Sequence, residues 1–107
     1  MSEIADLLRY QSPCDKEIAT SAVTVTGTAA KFTSQLTGTY VRKSFYGYNN
    51  SDDDSGELFY GGSDVTPETG RPIPLGADIG FNISPAVDIY FVAEAGEIGD
   101  LRIFEGA

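Results

Sequence analysis

From Ala22 to the C-terminus, the chain consists of short segments with a period of two, separated by turn residues every 8–12 residues or so. Three clear examples are AVTVTGT at residues 22–28, DIGFNIS at residues 78–84 and DLRIFE at residues 100–105. Alternation of apolar and polar residues puts one set of side chains on each face of a β-strand. No segment after residue 21 has the spacing of an amphipathic helix. This pattern predicts an all-β domain.

Three further segments complete the predicted strands: VRKSFYGY at residues 41–48, ELFY at residues 57–60 and DIYFVA at residues 88–93. The last of these is apolar on both faces, which is typical of a central strand. In the C-terminal segment, Leu101 and Ile103 are expected on the buried face. The fold class that follows is a small antiparallel β-sandwich or barrel, jelly-roll-like, of six to eight short strands.

Residues 1–21 differ from the rest of the chain. Ile4, Leu7 and Leu8 have helical spacing, Ser2 is suited to cap a helix, and Pro13 would prevent its continuation. We therefore expect a short N-terminal helix or arm over residues 1–21, followed by one β-sandwich domain over residues 22–107. A chain of 107 residues is of single-domain size.

Composition excludes several classes of function. The chain has no histidine and a single cysteine, Cys14, which excludes Cys–His and Ser–His–Asp catalysis, the common zinc sites and an internal disulfide. No cofactor and no enzymatic activity are predicted. The net charge of −9 repels a nucleic-acid backbone, and no apolar run approaches the roughly 20 residues of a membrane-spanning helix. The N-terminus lacks the pattern of a secretory signal, so synthesis and folding in a cytoplasm are expected.

An acidic segment at residues 50–56 invites a calcium interpretation, because Asn50, Asp52 and Asp54 have the alternate spacing of oxygen ligands. An EF-hand loop also requires glycine at its sixth position and glutamate at its twelfth, where this chain has Ser55 and Gly61. A solvated hairpin tip is therefore the favoured interpretation, and no metal ligand is predicted.

Aromatic residues are concentrated on neighbouring predicted strands. They are Tyr40, Phe45, Tyr46, Tyr48, Phe59, Tyr60 and Tyr90. On one exposed face they would form a platform for a sugar or a protein. Residues of this kind more often fill a small core, with each hydroxyl group reaching water, and this interpretation is favoured. Arg102 is expected to point outward and to pair with Asp100 or Glu105.

The stretch from Glu57 to Gly76 combines a short strand, a double glycine and a proline-rich loop. Gly61 and Gly62 would supply positive φ angles, or a kink where two layers approach each other. A loop that starts at Val65 and Thr66 is expected to cross to the other sheet, with Ile73 and Leu75 buried at the end of the sandwich. Prolines stiffen such a connection by limiting the unfolded chain.

The order of these segments resembles that of small β-sandwich structural proteins in tailed bacteriophage virions. The resemblance is carried by VTVTGTA (23–29), LTGT (36–39), a strand that starts with VRK (41–43), LFYGGSDVT (58–66), GRPIPLG (70–76), IYFVA (89–93) and GDLRIFE (99–105). It covers about residues 22–106. The aspartate-rich segment and the leading 21 residues depart from the pattern.

This resemblance implies a non-enzymatic virion structural protein, first of all a head decoration or cement protein present in multiple copies. The implied partners are the major capsid protein or other virion proteins, with a homo-oligomer expected and neither nucleic acid nor membrane. We expect an N-terminal arm to contact a neighbour through Ile4, Leu7, Leu8 and Tyr10. A place in the neck, tail or fibre is an alternative. A carbohydrate-binding module using the tyrosine-rich face is another.

Overall fold

The computed structural model describes residues 16–38, 42, 44–52, 56–81 and 86–107, and this part of the chain contains eight strands and no helix. The strands are β1 (Ile18–Val25), β2 (Ala30–Lys31), β3 (Ser44–Asn49), β4 (Leu58–Gly61), β5 (Arg71–Ile73), β6 (Asp78–Phe81), β7 (Tyr90–Ala93) and β8 (Gly99–Gly106). The predicted all-β class is confirmed. The predicted N-terminal helix or arm lies almost wholly outside the described residues.

Two four-stranded antiparallel sheets form the sandwich. Sheet A has the order β1-β8-β3-β6, and sheet B has the order β2-β7-β4-β5. Strand β1 pairs with β8, β2 with β7, β3 with β6 and β4 with β5. These four pairs are those of one long hairpin with its tip between β4 and β5. The hairpin is bent so that its strands alternate between the sheets, which is the arrangement of a jelly roll.

The predicted strand segments all coincide with observed strands, with shifted ends. Strand β1 begins at Ile18, before the predicted start at Ala22, because residues 18–21 continue the pairing with β8 up to Gly106. Strands β2 and β5 have two and three residues, too few to show a periodic pattern. Both strands are therefore absent from the sequence-based prediction.

The predicted roles of two connections are wrong. Strands β4 and β5 are neighbours in sheet B, with Leu58 opposite Ile73, so residues 62–70 form a hairpin loop and not a crossover. The crossing to sheet A follows β5, at residues 74–77. Conversely, the acidic segment after Asn49 joins a strand of sheet A to one of sheet B, so it is not a hairpin tip. Local turn residues mark where a strand ends but not which sheet the next one joins.

The main core lies between the sheets and contains the inward-pointing side chains of both. Its buried members are Val25, Phe45, Leu58, Ile73, Ile89, Phe91, Ala93, Leu101 and Ile103. Phe32 packs edge-on against Phe45, with ring centroids 5.2 Å apart. The predicted burial of Leu101, Ile103 and Ile73 is confirmed. The predicted burial of Leu75 is wrong, since 39% of this residue is exposed in the turn after β5.

A second, smaller cluster covers the outer face of sheet B. The hairpin loop of residues 62–70 folds back so that Val65 packs on Phe59 and Val92. Gly61 and Gly70 permit this approach, since a Cβ atom at either position would lie 2.8–2.9 Å from Val65 Cγ2. Neither Gly61 nor Gly62 has a positive φ angle, so this part of the prediction is wrong. In the described chain, positive φ angles occur at three other glycines.

Asn49 and Glu105 are fully buried polar residues, and each has partners in loops. The Asn49 side chain donates to the carbonyl oxygens of Ile73 (2.8 Å) and Gly56 (3.3 Å) and accepts from the backbone N–H of Ser51. It thus fastens the crossover between β3 and β4 to strand β5. Hydrogen bonding of this kind compensates for the burial of the amide group.

Glu105 holds the long connection between β2 and β3 against sheet A. Its carboxylate accepts hydrogen bonds from Ser34 Oγ (2.7 Å) and the backbone N–H of Gln35 (2.9 Å). It also pairs with Arg42 at 3.4 Å, and the Arg42 guanidinium lies 4.9 Å from the centre of the Phe45 ring. A charge on the inner face of a strand is tolerated here because it is paired and hydrogen-bonded.

Glu17 holds the same connection from the edge of the sheet. Its carboxylate accepts from the backbone N–H and hydroxyl of Thr37 (2.8 and 2.7 Å) and from the N–H of Gly38 (3.0 Å). These hydrogen bonds, first of all the one from the Thr37 backbone, lower the pKa of Glu17. Hydrogen bonds to the ionised form stabilise it.

Replacing Glu105 by alanine should lower the free energy of unfolding by roughly 3 kcal/mol, because it leaves Arg42 and two hydrogen-bond donors without their shared acceptor. Urea unfolding followed by circular dichroism would measure the change. Glu94→Ala, at an exposed turn residue, is the matched control and should change the free energy of unfolding by less than about 0.5 kcal/mol. Equal effects of the two substitutions would contradict a structural role for the buried carboxylate.

The lowered pKa of Glu17 predicts an acid-dependent contribution to stability. This contribution is fully present above the unfolded-state pKa of about 4.3 and is lost as the pH falls through the lower folded-state pKa. Glu17→Gln should therefore be less stable than the parent chain at pH 7, with the gap narrowing below pH of about 4. Urea unfolding of both chains at several pH values tests this. A difference in free energy of unfolding that stays constant with pH would show that the charge of Glu17 does not contribute to it.

Candidate functional site

The two outer faces of the sandwich differ. On sheet B, the loop of residues 62–70 covers Phe59 and Val92. On sheet A, two large aromatic side chains stay open to solvent: Tyr46 is 54% exposed and Tyr48 is 42% exposed. Exposed apolar surface at a sheet face commonly marks a site of interaction. We take the outer face of sheet A as the candidate site and call it the aromatic face.

Strand pairing arranges the aromatic face in two rows that run across the sheet. In the first row, Thr20, Phe104, Tyr46 and Gly80 stand side by side on β1, β8, β3 and β6. The Tyr46 and Phe104 rings are tilted, with centroids 6.2 Å apart. In the second row, the order is Ala22, Arg102, Tyr48 and Asp78. The first row thus carries two neighbouring aromatic rings, and the second carries Tyr48 between the charged residues Arg102 and Asp78.

Gly80 gives the Tyr46 ring its position. A Cβ atom at residue 80 would lie 3.0–3.1 Å from two carbon atoms of this ring, closer than ordinary van der Waals contact. The ring therefore lies over the bare backbone of β6, an arrangement that is used to protect an edge glycine from solvent. Packing against Gly80 on one side and Phe104 on the other limits the freedom of Tyr46. A ring that is ordered in advance loses less entropy when it binds a ligand.

An ion pair borders the face. The guanidinium of Arg102 donates to both carboxylate oxygens of Asp100, with its Nη2 atom at 2.9 Å, and Asn50 Nδ2 donates to Asp100 Oδ2 at 3.1 Å. The bond from Arg102, followed by that from Asn50, lowers the pKa of Asp100. The predicted pairing of Arg102 with Asp100 is confirmed, while Glu105 points to the opposite face. The pair ties the guanidinium to Asp100 on the strand where Arg102 lies opposite Tyr48.

The rows enclose a shallow depression of about 550 Å³, lined mainly by Thr20, Ala22, Tyr46, Tyr48, Arg102 and Phe104. Its groups are ring faces, hydroxyl groups and one guanidinium. They are suited to stacking and hydrogen bonding. The described residues include no group of three or more His, Cys, Asp or Glu side chains placed to bind a metal ion.

Some of the aromatic residues fill the core and others form an exposed platform, so each of the two interpretations of the sequence holds for part of the set. Phe45 and Phe59 are buried, while Tyr60 and Tyr90 pack against the main and second clusters, as the core interpretation predicts. Tyr46 and Tyr48 instead belong to the exposed platform. Their alternation with Phe45 and Gly47 was visible in the sequence and was the available indication that they point outward. Phe104 completes the platform and was not recognised as a candidate.

The predicted arm and the acidic segment fall wholly or partly outside the described residues. The arm residues Ile4, Leu7, Leu8 and Tyr10 lie outside them, and so do Tyr40 and Asp54. Within the acidic segment, Asn50 is bound to Asp100 and Asp52 is exposed. The arm hypothesis thus stays a prediction, and the calcium interpretation, which the sequence disfavours, stays untested.

No protein-family description, curated protein or solved structure matches the chain. Within the described ranges, no helix has the length and apolar character needed to cross a membrane. The functional interpretation therefore depends on the aromatic face, on the jelly-roll topology and on the order of the sequence segments.

Proposed function

We propose that this chain is a non-enzymatic structural protein of a bacteriophage virion, and that it binds in multiple copies to the surface of the assembled capsid. The order of the sequence segments supports this proposal, because it resembles that of small virion β-sandwich proteins. The jelly-roll topology agrees with it at the level of fold, since viral capsid and lectin domains use the same topology. A fold is shared by many functions, so the site has to carry the argument.

The observation that carries the proposal is the exposed aromatic face of sheet A. Tyrosine and phenylalanine are enriched in protein interfaces, where they supply large buried area at a low cost in side-chain entropy. Here Tyr46, Tyr48 and Phe104 form the apolar centre, and Asp78, Asp100 and Arg102 form a polar border. An apolar centre with a polar rim is the usual anatomy of a protein-binding surface.

We propose a decoration role because the partner of such a surface would be the assembled capsid lattice. A protein that binds only the assembled lattice stabilises the lattice by mass action, because dissociation of the lattice would release it. The acidic chain, with a net charge of −9, stays soluble until it meets that surface. The virion, reached after synthesis in the host cytoplasm, is then its place of action. A position in the neck, tail or fibre would use the same face on another virion partner.

The test uses capsids assembled without this protein, to which the purified chain is added. The double variant Tyr46→Ala/Tyr48→Ala should bind these particles about tenfold more weakly or worse, because both substitutions remove aromatic anchors from the centre of the face. Co-sedimentation with quantification of the bound chain measures the affinity. Val87→Ala, which removes an exposed apolar side chain outside the face, is the control and should bind like the parent chain. Undiminished binding of the double variant would exclude the aromatic face as the contact.

Carbohydrate binding is the second candidate, and the exposure of Tyr46 and Tyr48 on a flat sheet face is the observation that favours it. A sugar ring would stack on Tyr46 while Arg102 and Asp78 hydrogen-bond to its hydroxyl groups. Titration with polysaccharide from the surface of the host cell separates the two functions. Saturable binding that disappears in the double tyrosine variant supports this candidate; absence of binding by the parent chain excludes it for that polysaccharide.

The N-terminal arm has a separate test. Strand β1 begins at Ile18, and Lys16 and Glu17 already bond to Ala107, so the truncation should remove residues 1–15 only. If Ile4, Leu7, Leu8 and Tyr10 contact a neighbouring subunit, the truncated chain should keep its β-type circular dichroism spectrum and lose particle binding. Particle binding that survives the truncation would contradict the arm hypothesis and leave the aromatic face as the candidate contact.

A further inference from the structure

Strand β1 is an unusual edge. It has eight residues, IATSAVTV, without a charge or a proline, and it pairs with β8 on one side only. The other outer strands are short or protected. Strand β2 has two residues and contains Lys31, β5 contains Arg71 and Pro72, and β6 has four residues. A long uncharged edge strand is a template for pairing with another strand, and natural proteins usually block such edges.

The hydrogen-bond register shows which backbone groups β1 leaves open. Glu17 and Ala107 exchange both of their N–H···O=C bonds, so they form a hydrogen-bonded pair of the antiparallel ladder. Such pairs alternate along a ladder. The backbone N–H and C=O groups of the odd-numbered residues of β1 therefore bond to β8, and those of the even-numbered residues point to the free edge. The free edge thus presents the N–H and C=O groups of Ile18, Thr20, Ala22 and Thr24. In the described chain, no other backbone bonds to these four residues.

Ser21 lies at the centre of this free edge, with Ile18 and Thr20 before it and Ala22 and Thr24 after it. Its Oγ atom is buried and has no hydrogen-bond partner among the described residues. A buried hydroxyl group without a partner is costly and calls for an explanation. A groove of about 340 Å³ opens beside it along the free edge, lined by Ser21, Ala22, Val23, Lys31, Phe32, Thr33 and Gln35. Ser21 therefore borders an opening between the two sheets, while its Oγ atom itself is covered.

We propose that two copies of this chain associate through their β1 strands in an antiparallel pair centred on Ser21. This register sets Thr20 opposite Ala22 of the partner subunit and Ile18 opposite Thr24 of the partner subunit, which pairs every free N–H and C=O group of the edge. Ser21 then lies opposite its own copy in a non-hydrogen-bonded position, where side chains are closest. The two hydroxyl groups hydrogen-bond to each other, as cross-strand serine and threonine pairs do.

Several properties of the edge favour a second copy of this chain over a foreign strand. The pairing is self-complementary, as a twofold interface requires, and it satisfies the orphan hydroxyl in both copies at once. Ile18, 63% exposed, would be covered in part by the partner. Although the chain is acidic overall, β1 itself carries no charge. The carboxylate of the adjoining Glu17 is engaged by hydrogen bonds from Thr37, and Lys16 and Lys31 supply positive charge nearby. Repulsion between the two acidic chains is thus reduced along β1.

Pairing of this kind would join the two A sheets into one eight-stranded sheet. The twofold axis is perpendicular to the sheet, so both aromatic faces lie on the same side. Two linked faces on one surface raise the effective concentration of the second contact once the first has formed. This inference goes beyond the proposed function, because the dimer forms in the purified chain and requires no particle.

The intact chain should sediment with twice its monomer mass of 11.4 kDa at micromolar concentration. Ala22→Pro removes an N–H group that points to the free edge and leaves the bonds to β8 intact, as an edge strand tolerates. It should weaken dimerisation about tenfold or more, while Ala22→Thr, which keeps the N–H group, should dimerise like the parent. Analytical ultracentrifugation over a concentration series measures both. A parent chain that is monomeric throughout, or an Ala22→Pro chain that still dimerises fully, overturns the proposal.

A cross-linking test checks the register and does not depend on the proline variant. In a Cys14→Ser background, Ser21→Cys places two thiols opposite each other across the twofold axis, within the reach of a disulfide. Ala19→Cys is the matched control: it also points inward on β1, but four residues of offset put the two thiols about 13 Å apart. Mild oxidation should give a covalent dimer with Ser21→Cys only. Equal cross-linking at both positions, or none at residue 21, would exclude this register.

Discussion

Strand β8 is the element on which the rest of the molecule depends. It lies in the middle of sheet A and pairs with β1 on one side and β3 on the other. Its odd-numbered residues, Leu101, Ile103 and Glu105, point into the sandwich, and Arg102 and Phe104 point to solvent. Because side chains alternate between the two faces along β8, this one strand contributes residues both to the core and to the aromatic face. A shift of one residue in its pairing would exchange the two sets.

Glu105 adds a polar constraint to this apolar pattern. Its carboxylate ties the long connection between β2 and β3 to the sheet through Ser34, Gln35 and Arg42. At the other end of the sandwich, Asn49 fastens β5 and the crossover from β3. Side-chain hydrogen bonds of this kind satisfy backbone groups that leave the ladders where the chain changes sheets. In a jelly roll most connections change sheets, so a small domain needs such fastenings at both ends.

Sequence periodicity predicted the class of fold and several buried residues, because each regular strand shows its own alternation. Leu101 and Ile103 are examples, and so is the strand over Tyr90–Ala93, which is apolar on both faces because sheet B is covered on both sides. Topology was not predictable in the same way. The loop at residues 62–70 returns to its own sheet because Val65 packs on Phe59, a tertiary contact that turn composition does not encode. Strand β2 is too short to show any period.

The candidate site was predictable only in part, for the same reason. The alternation of Tyr46 and Tyr48 with Phe45 and Gly47 placed them on one face, but which outer face stays uncovered depends on where the loop of residues 62–70 packs. Thr20 and Ala22 show how closely the exposed features are connected. Their side chains line the aromatic face, and their backbone groups form the free edge of β1. Any strand that pairs with this edge would therefore extend the aromatic face as well, so the proposed dimer contact and the proposed partner-binding surface lie on one sheet.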